Sequence, residues 1–78
     1  MNKKEFLEKW NMVKSASEWP VIRSNGEPIF ATVMQINTIE RTVQGKTVFY
    51  DEVVLSEVID GVVTEIDTIR LDKIKDVA

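Results

Sequence analysis

The stretch that decides the fold is Gln44-Gly45-Lys46-Thr47-Val48-Phe49-Tyr50-Asp51-Glu52-Val53-Val54-Leu55-Ser56-Glu57-Val58-Ile59-Asp60-Gly61. It begins and ends on a glycine-containing turn signal. Between them lie Val, Leu, Ile, Thr, Phe and Tyr with interspersed charges, the composition of a strand rather than a helix. A two-residue hairpin loop needs positive φ at both central residues, which Gly adopts without cost and Asn or Asp tolerates. Asp60-Gly61 is a strong signal of this kind, and Gln44-Gly45 a weaker one. The stretch therefore predicts a strand over about residues 46–58, flanked by antiparallel neighbours over about 28–41 and 62–71.

Working outward, Asn25-Gly26 supplies a third turn signal and a first strand at about 19–24. Three hairpins in succession make a four-strand meander. A short fifth strand over about 73–77 follows the charged kink at Asp72-Lys73. The two long middle strands carry apolar residues at both parities. Phe30, Met34 and Ile36 alternate against Ile29, Ala31, Val33 and Ile39; Phe49, Val53 and Leu55 alternate against Val48, Tyr50, Val54 and Val58. A strand covered on one face alternates cleanly. Mixed parity predicts either cover on both faces or a bulge that shifts the register midway.

Upstream of the strands the pattern changes to a helical one. Phe6, Leu7, Trp10, Val13 and Ala16 follow the i, i+3, i+4, i+7 rule, with Lys3, Lys4, Glu8, Lys9, Asn11 and Lys14 on the other side. Asn2 three residues before Glu5 is a capping-box-like start. Pro20 stops the helix by biasing Trp19 away from the helical region. The helix spans about 2–16, and packing is the expected role of Trp10 and Trp19. The fold class is α+β. The N-terminal helix packs on a strongly curved antiparallel sheet of four or five strands, or on a small β-barrel, in a single domain over 1–78 with a meander over about 19–77.

Seventy-eight residues with 44% hydrophobic and 29% charged side chains fit one globular domain with a thin burial margin. No Cys and no His are present, which removes disulfides, thiol nucleophiles, Cys- or His-based metal sites and the commonest general base. No run approaches the ~20 apolar residues of a membrane span, and the start has no signal-peptide core. These features predict a cytoplasmic protein with no cofactor, no metal and no catalytic residue. Asp51/Glu52, Glu65/Asp67 and Asp72/Asp76 are paired carboxylates, but strand ends and turns leave them solvated rather than tuned in a cleft. The serines have no His to activate them, and the glycines are too dispersed to cradle a phosphate.

The segment Ile69-Arg70-Leu71-Asp72-Lys73-Ile74, preceded by Val53-Val54-Leu55-Ser56-Glu57 and Asp60-Gly61-Val62-Val63, resembles the Sm-like family of small β-barrels. That family has a helix, then five strands, and an Ile-Arg-Gly motif before an Asp or Asn. Here Leu71 stands at the motif's glycine. Glu52 stands where the family presents an Asn toward RNA, and a carboxylate there repels RNA. The resemblance implies a ring-forming, nucleic-acid-binding barrel.

Charge argues against nucleic acid. The net charge is −3, and it is uneven: residues 1–50 sum to +2 and residues 51–78 to −5. Lys3, Lys4, Lys9, Lys14 and Arg23 could offer a local basic face, although such lysines are ordinarily the wet side of an amphipathic helix. Two function classes follow. One is a non-enzymatic protein-interaction domain of the size and composition of small bacterial or phage accessory and inhibitor proteins, acting through a sheet edge and an acidic face. The other is an Sm-like oligomeric nucleic-acid-binding protein. The expected partners are another protein or a second copy of the chain. Tyr50, Glu52, Arg70 and Asp72 are the candidate binding residues at the rim.

Overall fold

A computed structural model describes residues 1–17 and 19–78. Its elements in chain order are α1 (Lys3–Ala16), β1 (Val21–Arg23), β2 (Ile29–Phe30), β3 (Val33–Val43), β4 (Lys46–Ile59), β5 (Val62–Arg70), a 3-10 turn (Leu71–Lys73) and β6 (Asp76–Val77). Among the described residues they form one helix and two antiparallel three-stranded sheets, ordered β2-β1-β6 and β3-β4-β5.

The helix starts where its cap predicts. Asn2 Oδ1 accepts a hydrogen bond from the Glu5 N–H at 2.8 Å, satisfying one of the open donors of the first turn. Glu5 in the first turn and Lys14 in the last complement the helix dipole. The buried stripe is Phe6 and Trp10, with ring centroids 6.3 Å apart, flanked by the half-buried Leu7 and Val13. The helix packs chiefly on β6, rather than lying across the long strands.

The large sheet is set by its turns. Gln44 and Gly45 have φ 52° and 76°, and Asp60 and Gly61 have φ 51° and 79°; these are two-residue hairpin loops with both central residues left-handed. They fix the registers Val43 opposite Lys46 and Ile59 opposite Val62. β4 has 14 residues, which at about 3.3 Å per residue spans most of the molecule's 44 Å length. Its partners are staggered. β5 reaches from Ile59 only to Glu52, and β3 reaches from Lys46 only to Ser56. The sheet is three strands wide only over 52–56 of β4, and each end runs on as a two-stranded ribbon.

The core sits over that middle. Val53 and Leu55 are fully buried against Ile22, Ala31 and Val77 of the small-sheet region, Leu71 and Ile74 around the 3-10 turn, and Phe6 and Trp10 of the helix. Ile36 and Ile69 lie opposite Val53, and Met34 opposite Leu55; all three pack on the same core. Full burial of a Leu- or Val-sized side chain contributes about 1.5–3 kcal/mol, so this small cluster holds both sheets and the helix together.

Several expectations are corrected. The meander is not one sheet. The expected strand over 28–41 breaks at Ala31-Thr32, where Ala31 turns into the core and the Thr32 N–H bonds the Ser56 carbonyl at 3.0 Å. Asn25-Gly26 is not a two-residue turn. Its loop spans 24–28, Gly26 has no positive φ, and Pro28 fixes its own φ immediately before β2 begins at Ile29. The first strand begins at Val21, because Trp19 lies in a bend and is 51% exposed rather than packed. The last strand is only Asp76–Val77, since 71–73 coil into the 3-10 turn. β1 is central in the small sheet, whose edges are β2 and β6. The two sheets do not join into a closed barrel.

The mixed parity of β3 and β4 does not come from a bulge in either strand, since their mutual register is unbroken. The register shift lies on β5: Leu55 is opposite Asp67 and Ser56 opposite Glu65, leaving Ile66 as the extra residue of a bulge. Off-core apolar residues of β4 such as Val48 and Val58 are bare rather than covered by a second layer.

Candidate functional site

β5 ends at Arg70, directly opposite Glu52. The Asp60-Gly61 turn and the Ile66 bulge together determine that pairing. Tyr50 lies two residues along β4 from Glu52 and so on the same face. The Arg70 guanidinium sits 4.4 Å from the centroid of the Tyr50 ring, a cation–π contact. Arg70 Nη2 also donates to Asp72 Oδ2 at 2.9 Å, because the 3-10 turn brings Asp72 back beside the strand end. The four rim residues expected from sequence, Tyr50, Glu52, Arg70 and Asp72, are thus one neighbourhood. Glu52 and Tyr50 are half-buried; Arg70 and Asp72 are exposed.

This neighbourhood borders a groove of about 320 Å³ between the helix start and β4, lined by Lys3, Phe49, Tyr50, Asp51, Arg70 and Asp72 among others. Arg70 is committed to Tyr50 and Asp72, so carboxylates dominate the free valences of the rim. Asp51 accepts from Thr38 Oγ1 at 2.8 Å across the ribbon. A second groove, of about 580 Å³, lies where β2 faces β5. Ile29, Phe30, Ile66 and Ile69 supply its apolar lining, and Glu27, Glu57 and Asp67 its charge. Among the described residues, no group of three or more Asp or Glu is arranged to hold a metal ion, and no helix is long and apolar enough to cross a membrane.

Sequence reading expects middle strands with more apolar surface than one helix can cover, but it does not single out the residues that form the most conspicuous surface. Val43, Val48 and Phe49 on one ribbon are 52%, 46% and 66% exposed. Val58, Ile59, Val62 and Val63 on the other are 45–63% exposed. Val58 lies opposite Val63 and Ile59 opposite Val62, so these are cross-strand pairs facing solvent. A signal existed: all seven lie within a few residues of a hairpin turn, toward the ends of the sheet and away from its middle. Scattered apolar residues on a surface are ordinary, whereas here they are paired across strands on both ribbons of one sheet.

No known family, no curated protein and no solved structure matches this chain.

Proposed function

We propose that this chain is a non-enzymatic protein-interaction domain that works through the large sheet, with its acidic half facing the partner. The observation that carries the reading is the pair of bare apolar ribbons at the two ends of β4. A 78-residue chain with a small core gains nothing from exposing Phe49, Ile59 and Val62 unless another surface covers them. Carboxylates at Asp51, Glu57, Glu65 and Asp67 border these ribbons and favour a basic surface on the partner. The chain's size and composition fit a small bacterial or phage accessory or inhibitor protein, the class to which this reading assigns it.

The test is capture from a host lysate with the unmodified chain and with the variants Phe49→Asp and Val62→Asp. The unmodified chain retains a defined protein. At least one variant loses that protein while keeping its melting temperature, because both positions are exposed. Equal capture by the chain and both variants defeats the reading.

A second reading, an Sm-like oligomer that binds nucleic acid, has one supporting observation. The order β6-β1-β2, continuing through the bend at Ala31-Thr32 into β3-β4-β5, together with a 3-10 turn before a short last strand, is similar to that of small barrels. In that reading the sheets curl toward a barrel and the rim of Tyr50, Glu52, Arg70 and Asp72 faces the ligand. Retention on heparin and single-stranded RNA that falls steeply with salt supports it, and flow-through at low salt rejects it.

A further inference from the structure

We propose that two copies of this chain pair through β3, antiparallel and centred on Thr38, to form one continuous six-stranded sheet. This rests on the sheet-interaction reading above and names a second copy as an occupant of the sheet.

β3 is an edge strand, paired only with β4. The two-residue turn at Gln44-Gly45 makes Val43 and Lys46 a hydrogen-bonded pair, and such pairs alternate along an antiparallel ladder. Odd-numbered residues of β3 therefore bond inward to β4. Met34, Ile36, Thr38, Glu40 and Thr42 direct their N–H and C=O groups to the open side. The edge is lightly protected: Val33–Val43 contains no Pro, Gly or Lys, its register with β4 runs without a bulge, and its charges are confined to Glu40 and Arg41 near one end.

The sequence of that edge tolerates self-pairing without a like-charge clash, and Thr38, the middle residue of Val33–Val43, gives the fullest overlap. A two-fold axis normal to the sheet at Thr38 sets Met34 of one copy against Thr42 of the other, Gln35 against Arg41, Ile36 against Glu40, and Asn37 against Ile39. Each pair shares a parity, so the core-facing side of the sheet stays on one side in both copies. The open groups of all five even-numbered residues meet their counterparts in phase, giving roughly ten main-chain hydrogen bonds. No carboxylate meets a carboxylate.

The other edge of the sheet behaves oppositely. Self-pairing of β5 centred on Glu65, Ile66 or Asp67 sets Glu65 against Glu65, Glu65 against Asp67, or Asp67 against Asp67. Like charges directly opposite one another are destabilising. The bulge at Ile66 also interrupts the strand. Pairing β3 with β5 leaves one free edge at each end and builds open chains or rings, whereas β3 with β3 closes at two copies.

The absence of Cys makes the register directly testable. Cα atoms of hydrogen-bonded partners stand about 5.5 Å apart, within disulfide range. Thr38→Cys is expected to give a covalent dimer under mild oxidation, and Thr64→Cys on β5 a monomer. Light scattering on the unmodified chain at micromolar concentration is expected to give twice the chain mass. Thr38→Pro removes an open-edge donor and leaves the β4 ladder intact, so a folded chain of single mass is expected. If that variant fails to fold, Thr38→Lys, which opposes two ammonium groups on the axis, must give the folded monomer instead. A monomer throughout the micromolar range, a dimer that Thr38→Cys does not cross-link, or a series of higher multimers overturns the proposal. A monomer that still captures a partner through Phe49 or Val62 overturns this proposal alone and leaves the interaction reading standing.

Discussion

The core-facing side of β4 carries two kinds of apolar residue. Val53 is completely buried, while Phe49 and Ile59, four and six residues away, are 66% and 45% exposed. All three share one strand, one face and the same extended backbone. What separates them is reach. The helix, the small sheet and the 3-10 turn gather over 52–56, and the strand runs six residues beyond that cover toward Gln44-Gly45 and three toward Asp60-Gly61. Burial along a long strand is thus decided by the size of what packs on it. The strand's own pattern only permits that burial.

The sharpest way to break this comparison is to truncate matched residues in the two regions. Leu55→Ala removes a fully buried side chain and leaves a cavity among Ile22, Ala31 and Phe6, an expected cost of about 2–5 kcal/mol in urea unfolding. Trp10→Ala is expected to cost about 3–5 kcal/mol for the same reason. Phe49→Ala removes a larger side chain than Leu55→Ala does, yet its ring is 66% exposed, so the monomer should lose no more than about 0.5 kcal/mol. Comparable losses at Leu55 and Phe49 would mean that the ribbon is packed in solution.

The turns offer a second, smaller contrast. Gly45 and Gly61 have φ 76° and 79°, and nothing lies within 4 Å of where a Cβ would stand. The penalty at these sites is conformational rather than steric. Gly45→Ala and Gly61→Ala should each cost about 1–2 kcal/mol, because an L-residue is strained at positive φ. Gly26 has no positive φ, and an added Cβ would meet only Ser24 Oγ at 3.9 Å. Gly26→Ala should be neutral or stabilise slightly through lost unfolded-state freedom, by up to about 1 kcal/mol. Equal effects at all three glycines would contradict the assignment of two left-handed turns and one wide loop.

The same contrast explains what was legible in the sequence. Asn2, Glu5 and the Phe6–Trp10 stripe give the helix, because capping and periodicity are local. Asp60-Gly61 and Gln44-Gly45 give two hairpins, because their φ requirement is local too. Asn25-Gly26 carries the same kind of signal and fails, since Pro28 and the pull of Ala31 into the core favour a wider loop. The break at Ala31-Thr32 has no turn residue to announce it. It arises because Ile22 and Val77 must pair across the small sheet while Val53 needs cover, a tertiary demand written far from the bend. Arg70, Glu52, Tyr50 and Asp72 could be grouped from sequence because one hairpin register carries β5 back to Glu52. The ribbons were harder to foresee, since their exposure depends on where the helix stops.

The smallest expected effect lies on the covered side, where α1 meets β6. Lys9 Nζ donates to Asp76 Oδ1 at 3.0 Å, and both side chains are more than 40% exposed. That hydrogen bond, with one from the Val77 backbone, holds the Asp76 carboxyl below its ordinary value of 3.8. A carboxyl lowered in the folded state adds stability that is fully present above the unfolded value and lost as pH falls through the folded one. Asp76 thus contributes fully at neutral pH, and its contribution disappears as pH drops from 3.8 downward. Solvent around an exposed pair screens the attraction, so the effect is minor beside those of Leu55 or Gly61. Asp76→Asn should lower the urea midpoint slightly at pH 7 in low salt, and less at high salt. At a pH well below 3.8 the variant and the unmodified chain should unfold together. A difference that persists undiminished at that pH would assign the role of Asp76 to packing at the β1–β6 junction instead of to charge.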